Sequence, residues 1–271
     1  MSEKIYLMGD IHGAFQPIRN FHLRHNCNKE YNEANKTIIL LGDSGLNYFF
    51  NSRDEKTKAK LGKYPFTYFV IRGNHEERPS ICAEKNPDKW HREPFWGWFV
   101  WVENDYPYIK YAEDFVAFYF IPYKENGDTE TPSFLKTLVV PGAYSVDKYF
   151  RLQVGYSWFP QEQLSESERL AGLSLIEQQG WKCDLVLSHT CPVIYEPTDL
   201  FLSMVDQSMV DKTMERYLGQ IEYQLDYKAW LWGHYHEFRD YPRTDGKYKT
   251  MLFNDAAVDL ADYMEGKVEK L

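Results

Sequence analysis

Cysteine is scarce in this chain, with four residues (Cys27, Cys82, Cys183 and Cys191) among 271 and no Cys-x-x-Cys pair. So few thiols make no disulfide framework at this length, and reduced cysteines in a cytosol are expected. Long apolar runs are also missing. No stretch approaches the roughly 20 residues that cross a bilayer as a helix. Met-Ser-Glu-Lys leads straight into a strand pattern, without the basic and apolar regions of a secretory leader, so a soluble cytoplasmic protein without membrane partners is expected. Positive charge is in deficit: 31 Lys and Arg against 40 Asp and Glu leave a formal net charge of -9. Non-specific affinity for nucleic acid comes mainly from basic side chains that neutralise phosphates, so no general nucleic-acid surface is expected, although a local basic cleft stays open. Internal repeats, low-complexity tracts and interdomain linkers are absent.

Aromatic residues are abundant, at 17% of the chain with 21 Tyr, 17 Phe and 8 Trp. The composition is that of a globular chain able to bury a substantial core. One domain over residues 1–271 is expected, with an aromatic-rich insertion at about 78–136. Within it, Trp90 to Trp101 reads as a packed flap or core edge, with a substrate-facing wall as the alternative.

Ile5-Tyr6-Leu7-Met8 reads as a strand ending in Gly-Asp. A helix over about Phe15 to Glu30 follows, and Thr37 to Leu41 repeats the strand-to-Gly-Asp pattern. A helical stretch near Phe49 to Leu61 leads to a third strand, Phe66 to Ile71. Short strands include Phe115 to Ile121, with a surface loop around Glu125-Asn126-Gly127-Asp128. Beyond these come a strand at Thr137 to Val140, a helix from near Gln161 to Gly180 and a strand at Asp184 to Leu187. A helix over about Asp206 to Tyr223 and a strand at Ala229 to Trp232 follow, and Lys249 to Phe253 closes a sheet.

Five clusters sit at the ends of these strands: Gly9-Asp10-Ile11-His12-Gly13, Gly42-Asp43, Gly73-Asn74-His75-Glu76, Ser188-His189 and Gly233-His234-Tyr235-His236. Gly42-Asp43 alone is ordinary turn chemistry, and Gly73 to Glu76 alone also reads as a helix cap. Their recurrence at strand ends is what points to a site, because loops leaving strand C-termini in open α/β sheets converge. All the donors are oxygen or nitrogen. Such a set suits Mn, Fe, Zn or Mg ions held close together to clamp and attack a phosphate ester. Asp10 and His12, two apart after a strand, can reach one ion. Asp43, with two oxygens and a negative charge, is the expected bridge between two. His22, His25 and His91 lie outside the clusters and read as structural.

The order and flanks of these clusters resemble the calcineurin-like metallophosphoesterase superfamily over roughly residues 4 to 255. The resemblance implies an α/β class built as a β-sandwich flanked by helices (α/β/β/α), with a dinuclear site at strand C-terminal ends. Asn74, His189 and His234 would complete the second ion's shell and His236 would return to the first. His75 would be the general acid near the leaving group, donating as an imidazolium. Two divalent ions are implied, Mn foremost with Fe or Zn as alternatives. The first and third motifs look like those of bacterial and phage phosphatases related to Ser/Thr protein phosphatases. The second departs from them: Leu46 and Asn47 stand where that subgroup carries an Asp and an Arg, leaving Asn47 as the substitute substrate contact. Gly142 to Arg151 resembles a loop of another bacterial and phage branch, in which Lys148 and Arg151 could grip phosphate. The expected function is hydrolysis of a phosphoester substrate by in-line attack of water, a phosphomonoesterase first. A phosphodiesterase acting on nucleotides or nucleic acid and a non-catalytic scaffold are the alternatives.

Overall fold

In β1 (Glu3–Met8), Ile5 and Leu7 point to one face, Tyr6 and Met8 to the other, and all four are buried. A strand apolar on both faces needs a layer on each side. The computed structural model describes residues 3–28, 31–32, 34–123, 133–201, 203, 205–243 and 245–271, and it supplies both layers. The expected loop at Glu125 to Asp128 lies outside the described residues.

β2 (Asn35–Leu41) and β3 (Thr67–Ile71) pair in parallel beside β1. Next to β3 the first sheet continues through β6 (Ile109–Tyr111), β5 (Trp98–Glu103) and the edge strand β4 (Trp90–Phe95), while β13 (Val258–Asp259) closes its other side. The second sheet has β7 (Ala117–Tyr123) at one edge, then β8 (Ser133–Val140), β9 (Leu185–Ser188), β10 (Ala229–Trp232) and β12 (Tyr248–Met251), with β11 (Arg239–Asp240) at the far edge. Between the sheets Leu7, Leu41 and Ile71 meet Tyr119, Val139, Leu187 and Leu231.

Helices cover both outer faces. Ile18 and Phe21 of α1 (Gln16–His25) and Leu61 of α2 (Ser52–Leu61) pack on Tyr6, Ile38 and Tyr68. After the short α3 (Pro79–Lys85) and α4 (Lys148–Val154), α5 (Glu166–Gln178) brings Ile176, and α6 (Thr213–Gln224) brings Met214, Tyr217, Leu218 and Ile221, against Val186, Trp230 and Trp232. A one-turn α7 (Leu260–Met264) follows β13. The order helix, sheet, sheet, helix is the expected α/β/β/α sandwich.

Several boundaries differ from the expectation, each for a local reason. α2 begins at Ser52, not near Phe49, because the Asn51 side chain accepts from the Arg53 backbone N–H and caps it. α5 begins at Glu166, not near Gln161, where Ser165 and Glu168 form a reciprocal capping box. α6 begins at Thr213, not Asp206: Asp211 accepts from the Thr213 N–H at 2.9 Å, and the preceding apolar Val205 and Val210 line a cavity instead of a helix face. β12 does not close its sheet, since β11 pairs along its outer side. The aromatic run Trp90 to Trp101 is an edge hairpin turned by Trp96 and Gly97, both at positive φ. Phe95 and Trp96 pack against the inter-sheet core, stacking on Phe69.

Candidate metal centre

Because β1, β2 and β3 run parallel, as do β9 and β10, the residues just past their C-terminal ends form one cluster where the two sheets meet. The turns are tight. His12 (φ 46°), Asp43 (46°), His234 (72°) and His236 (56°) all adopt the left-handed region, which costs a residue with a Cβ roughly 1–2 kcal/mol. Four such residues in one cluster mark loops held by their surroundings. Gly42 is required for closeness: a Cβ there would sit 2.0 Å from His189 Nδ1.

Asp43 is the hub. One of its oxygens, Oδ1, accepts from the backbone N–H groups of Asn74 and His75, both at 2.8 Å, and lies 3.3 Å from His189 Nε2. The other, Oδ2, lies 3.9 Å from His12 Nε2 and 3.8 Å from His75 Nε2. Asp10 accepts from the His234 N–H at 2.9 Å. His12 and His236 face each other through their Nε2 atoms at 2.8 Å. Donor atoms of Asp10, His12, Asp43 and His236 all lie within 4.8 Å of one another, and so do those of Asp43, His189 and His234. The two groups share Asp43.

Supporting bonds orient the donors. His189 gives its Nδ1 to the Leu41 carbonyl at 2.8 Å, which leaves Nε2 to face Asn74 Oδ1 at 2.9 Å. Asn74 is held by its own amide: Nδ2 donates to Ser145 Oγ at 2.9 Å, and Ser145 in turn donates to Glu162 at 2.5 Å. Glu76 ties the second and third loops together, accepting from Ser44 Oγ, from Gly45 N at 3.1 Å and from Gly73 N at 2.9 Å. Glu76, Ser145 and Glu162 had no assigned role in the sequence reading. Glu76 lies in the third motif, whereas nothing local marks Glu162, which reaches the site only through the fold.

Electrostatics sharpen the picture. Burial works against charge on His189, but Asp43 and then Asp10 outweigh it and lift its pKa to about 9. Burial also opposes ionisation of Asp43, yet His189 and His75 hold it well below the usual carboxylate range. Burial, reinforced by the His189 charge, pushes His234 well down, while burial followed by His12 lowers His236. His12, whose pKa burial also lowers, His234 and His236 are thus neutral beside an ionised Asp43, the states in which they ligate a metal ion, whereas His189 would give up its proton to one.

His75 departs from the expected imidazolium. Its Nε2 takes a hydrogen bond from Arg151 Nη2, and burial, partly offset by Asp43 and reinforced by Arg151, lowers its pKa to about 4. Arg151 is 1% exposed and pairs with Asp147 at 2.6 Å. Its Nε and Nη1 are buried with no hydrogen-bond partner among the described residues. Lys148 turns away and lies over the Trp158 ring at 4.0 Å. Asn47 is 4% exposed and borders a closed space with Arg72, Glu76 and Tyr111, while Leu46 is fully buried. Thus Arg151 joins the cluster, and Lys148 and Asn47 do not. His22, His25 and His91 bond to Tyr31, the Phe21 carbonyl and Asn104, away from it.

Two cavities open on His75. One, of about 370 Å³, is walled by Tyr48, Phe49, Arg53, Phe150, Arg151 and Tyr156 and reaches His12. The other, of about 360 Å³, reaches Asn74, His234 and His236 and is walled by Leu200, Phe201, Val210, Glu196, Asp211 and Glu215. The aromatic hairpin borders neither. Aromatic residues do stand at the site: those of the first cavity come from the segments after β2 and around α4, and Phe201 and Tyr235 border the second.

An α/β/β/α sandwich whose strand ends gather two overlapping sets of oxygen and nitrogen donors has the architecture of a metallophosphoesterase. The family model for calcineurin-like phosphoesterases matches residues 3–238, and the chain belongs to that family. Membership makes it a metal-dependent hydrolase of phosphoester bonds. No relative is found among curated proteins. Among solved structures it is similar to the protein TT1561 of Thermus thermophilus, at 13% identity with a TM-score of 0.49, covering 96% of this chain and 95% of that one. It is also similar to a dimetal phosphatase from Danio rerio, at 10% identity with a TM-score of 0.49, covering 95% and 92% of the two chains. Among the described residues no helix is long and apolar enough to cross a membrane.

Proposed function

We propose that this protein is a dinuclear-metal phosphomonoesterase, a single unit over residues 1–271. The observation that carries the reading is the pair of donor groups joined at Asp43. Asp10, His12, Asp43 and His236 would hold one divalent ion, and Asp43, Asn74, His189 and His234 the second. The fit is chemical: two buried carboxylates, imidazoles that burial holds neutral at His12, His234 and His236, and two ring nitrogens facing each other at 2.8 Å make a donor cluster that cations satisfy. Ions there supply Lewis acidity and a more acidic shared water, with Mn as the leading candidate and Fe or Zn as alternatives.

The chain's own groups do the rest. The reaction forms a bond from a water oxygen to phosphorus and breaks the ester P–O bond, and the departing alkoxide takes up a proton. His75 lies at the head of both cavities, and once Arg151 turns from its Nε2 to the phosphate, that nitrogen would be free to take up the proton that the attacking water loses and pass it to the departing alkoxide. Arg151 grips the phosphate. Its Nε and Nη1 are buried donors left without a partner, and this guanidinium reaches from α4 the place that Leu46 and Asn47 leave without one. A guanidinium with donors to spare favours the more highly charged monoester.

The test is hydrolysis of paired aryl phosphate mono- and diesters by metal-stripped protein reloaded with Mn²⁺, with His75→Ala as control. Monoester preference is expected, and the His75 variant should lose about 10²- to 10⁴-fold in rate. Diester preference would overturn the monoesterase assignment. Two bound metals with no turnover of either ester would overturn hydrolysis itself.

A further inference from the structure

The cavity between residues 48–53 and α4 has a composition that the metal centre does not require. Four aromatic rings (Tyr48, Phe49, Phe150 and Tyr156) and two guanidiniums (Arg53 and Arg151) surround about 370 Å³ that opens directly on His12 and His75. Tyr48 stacks on His75 with ring centroids 5.9 Å apart at 28°, and it meets Phe49 edge-on at 4.6 Å. The Arg53 guanidinium lies 3.8 Å over the Phe49 ring. Phe150 and Tyr156, by contrast, are 58% and 59% exposed. Rings held in place on one wall and left open on the other make a slot for a flat group, with a cation at its rim.

The companion cavity differs in charge. Its wall carries Glu196, Asp211 and Glu215 and no Lys or Arg. A nucleic-acid strand bound through the scissile phosphate and continuing along this wall would find no Lys or Arg there to receive its next phosphates, and burying them without a cation is disfavoured. Room of a few hundred Å³ suits a small molecule.

We propose that the Phe150 and Tyr156 side is a subsite for a planar aromatic group, so that the substrate is a small phosphoester of an aromatic alcohol or nucleoside and not a nucleic-acid strand. The proposal rests on the phosphoesterase reading above. Arg151 takes the phosphate, the flat group lies against Phe150 and Tyr156, and Arg53 covers its outer face.

Two matched pairs test it without a difference in leaving-group chemistry: benzyl phosphate against cyclohexylmethyl phosphate, and adenosine 5′-monophosphate against ribose 5-phosphate. Phosphate release is followed with the Mn²⁺-loaded protein. The planar member of at least one pair should be favoured roughly 10- to 100-fold in kcat/KM, the scale of stacking on aromatic side chains. That ratio should fall toward one in Phe150→Ala and in Tyr156→Ala. Preference in the benzyl pair alone points to simple aryl esters and in the adenosine pair alone to nucleotides, and either upholds the subsite. Ratios near one in both pairs, or ratios that survive the double variant, overturn it. If none of the four esters is turned over, the phosphoesterase reading fails, and binding to the metal-stripped protein decides the subsite alone. Benzylphosphonate should then quench intrinsic fluorescence at lower concentration than cyclohexylmethylphosphonate, with the difference lost in Phe150→Ala. Equal binding of the two phosphonates overturns the proposal.

Discussion

His75 stands between two cavities of nearly equal volume and opposite character. On the side of α4 the wall is aromatic and carries two guanidiniums, while on the side of residues 196–215 it is apolar with Glu196, Asp211 and Glu215, and Asp147 borders both. Both open on the same donor loops, so on the proposed reading the chemistry is common and the contrast concerns what lies beyond the phosphate. One side attracts charge and flat rings. The other stays nearly free of net attraction, since Lys212 pairs with Glu196 at 2.8 Å, Asp211 accepts from Gln163 at 2.9 Å and Glu215 accepts from Thr190 at 2.7 Å. A single centre flanked in this way discriminates by which side a substrate needs.

The largest effect should erase the contrast altogether. Asp43→Asn removes the charge shared by both donor groups, and turnover of any substrate should fall more than about 10³-fold. Elemental analysis should find bound metal reduced from two ions per chain to one or none. Full metal content with full activity would show that Asp43 is no bridge.

Arg151→Ala acts on one side only. It removes the guanidinium from His75 and from the aromatic cavity, and kcat/KM for monoesters should drop about 10²- to 10³-fold, with diesters less affected. An equal loss for both ester classes would assign Arg151 to holding His75 instead of the phosphate.

Glu215 offers a test of the opposite wall through stability. Burial drives its pKa from 4.5 to about 7. An acid with a raised folded pKa contributes its full stability below the unfolded value and loses it as pH rises through the folded one. The window is therefore pH 4.5 to 7, and the change is on the order of 3 kcal/mol. Glu215→Gln should remove that slope, so urea unfolding at pH 8 compared with pH 5 should favour the variant by about this amount. Parallel curves would mean that the carboxyl is not held neutral.

The smallest effect sharpens the comparison. Val210→Lys places a cation in the apolar cavity and should raise kcat/KM for substrates with a second phosphate by about 5- to 10-fold at low salt, fading as ionic strength rises. No change would show that charge on this wall does not govern selection.

The sandwich was legible in the chain because β1, β2, β3, β9 and β10 are short apolar runs that lead into Gly-Asp, Gly-Asn or a histidine, and runs buried on both faces need two covering layers. Ala229 to Trp232 was read to the residue. Helix starts were less legible, since an apolar residue that lines a cavity, such as Val210, stands four before Met214 and seven before Tyr217, the spacing of a helix face. The Trp90 to Trp101 run was the most conspicuous aromatic feature, yet it forms an edge hairpin from which Phe95 and Trp96 turn into the core while Trp98 and Phe99 stay exposed. Tyr48, Phe49, Phe150 and Tyr156, scattered over a hundred positions, form the aromatic wall instead.

The sequence by itself determined the identity and order of the oxygen and nitrogen donors and the strands that carry them, because a ligand two residues past a strand end has few places to go. The tertiary structure decided which donors share Asp43, that Arg151 and not Asn47 or Lys148 reaches His75, and that guanidiniums line only one of the two cavities. Those are contacts between residues far apart in the chain, set by how two sheets pack, and no local pattern of residues encodes the distance between them.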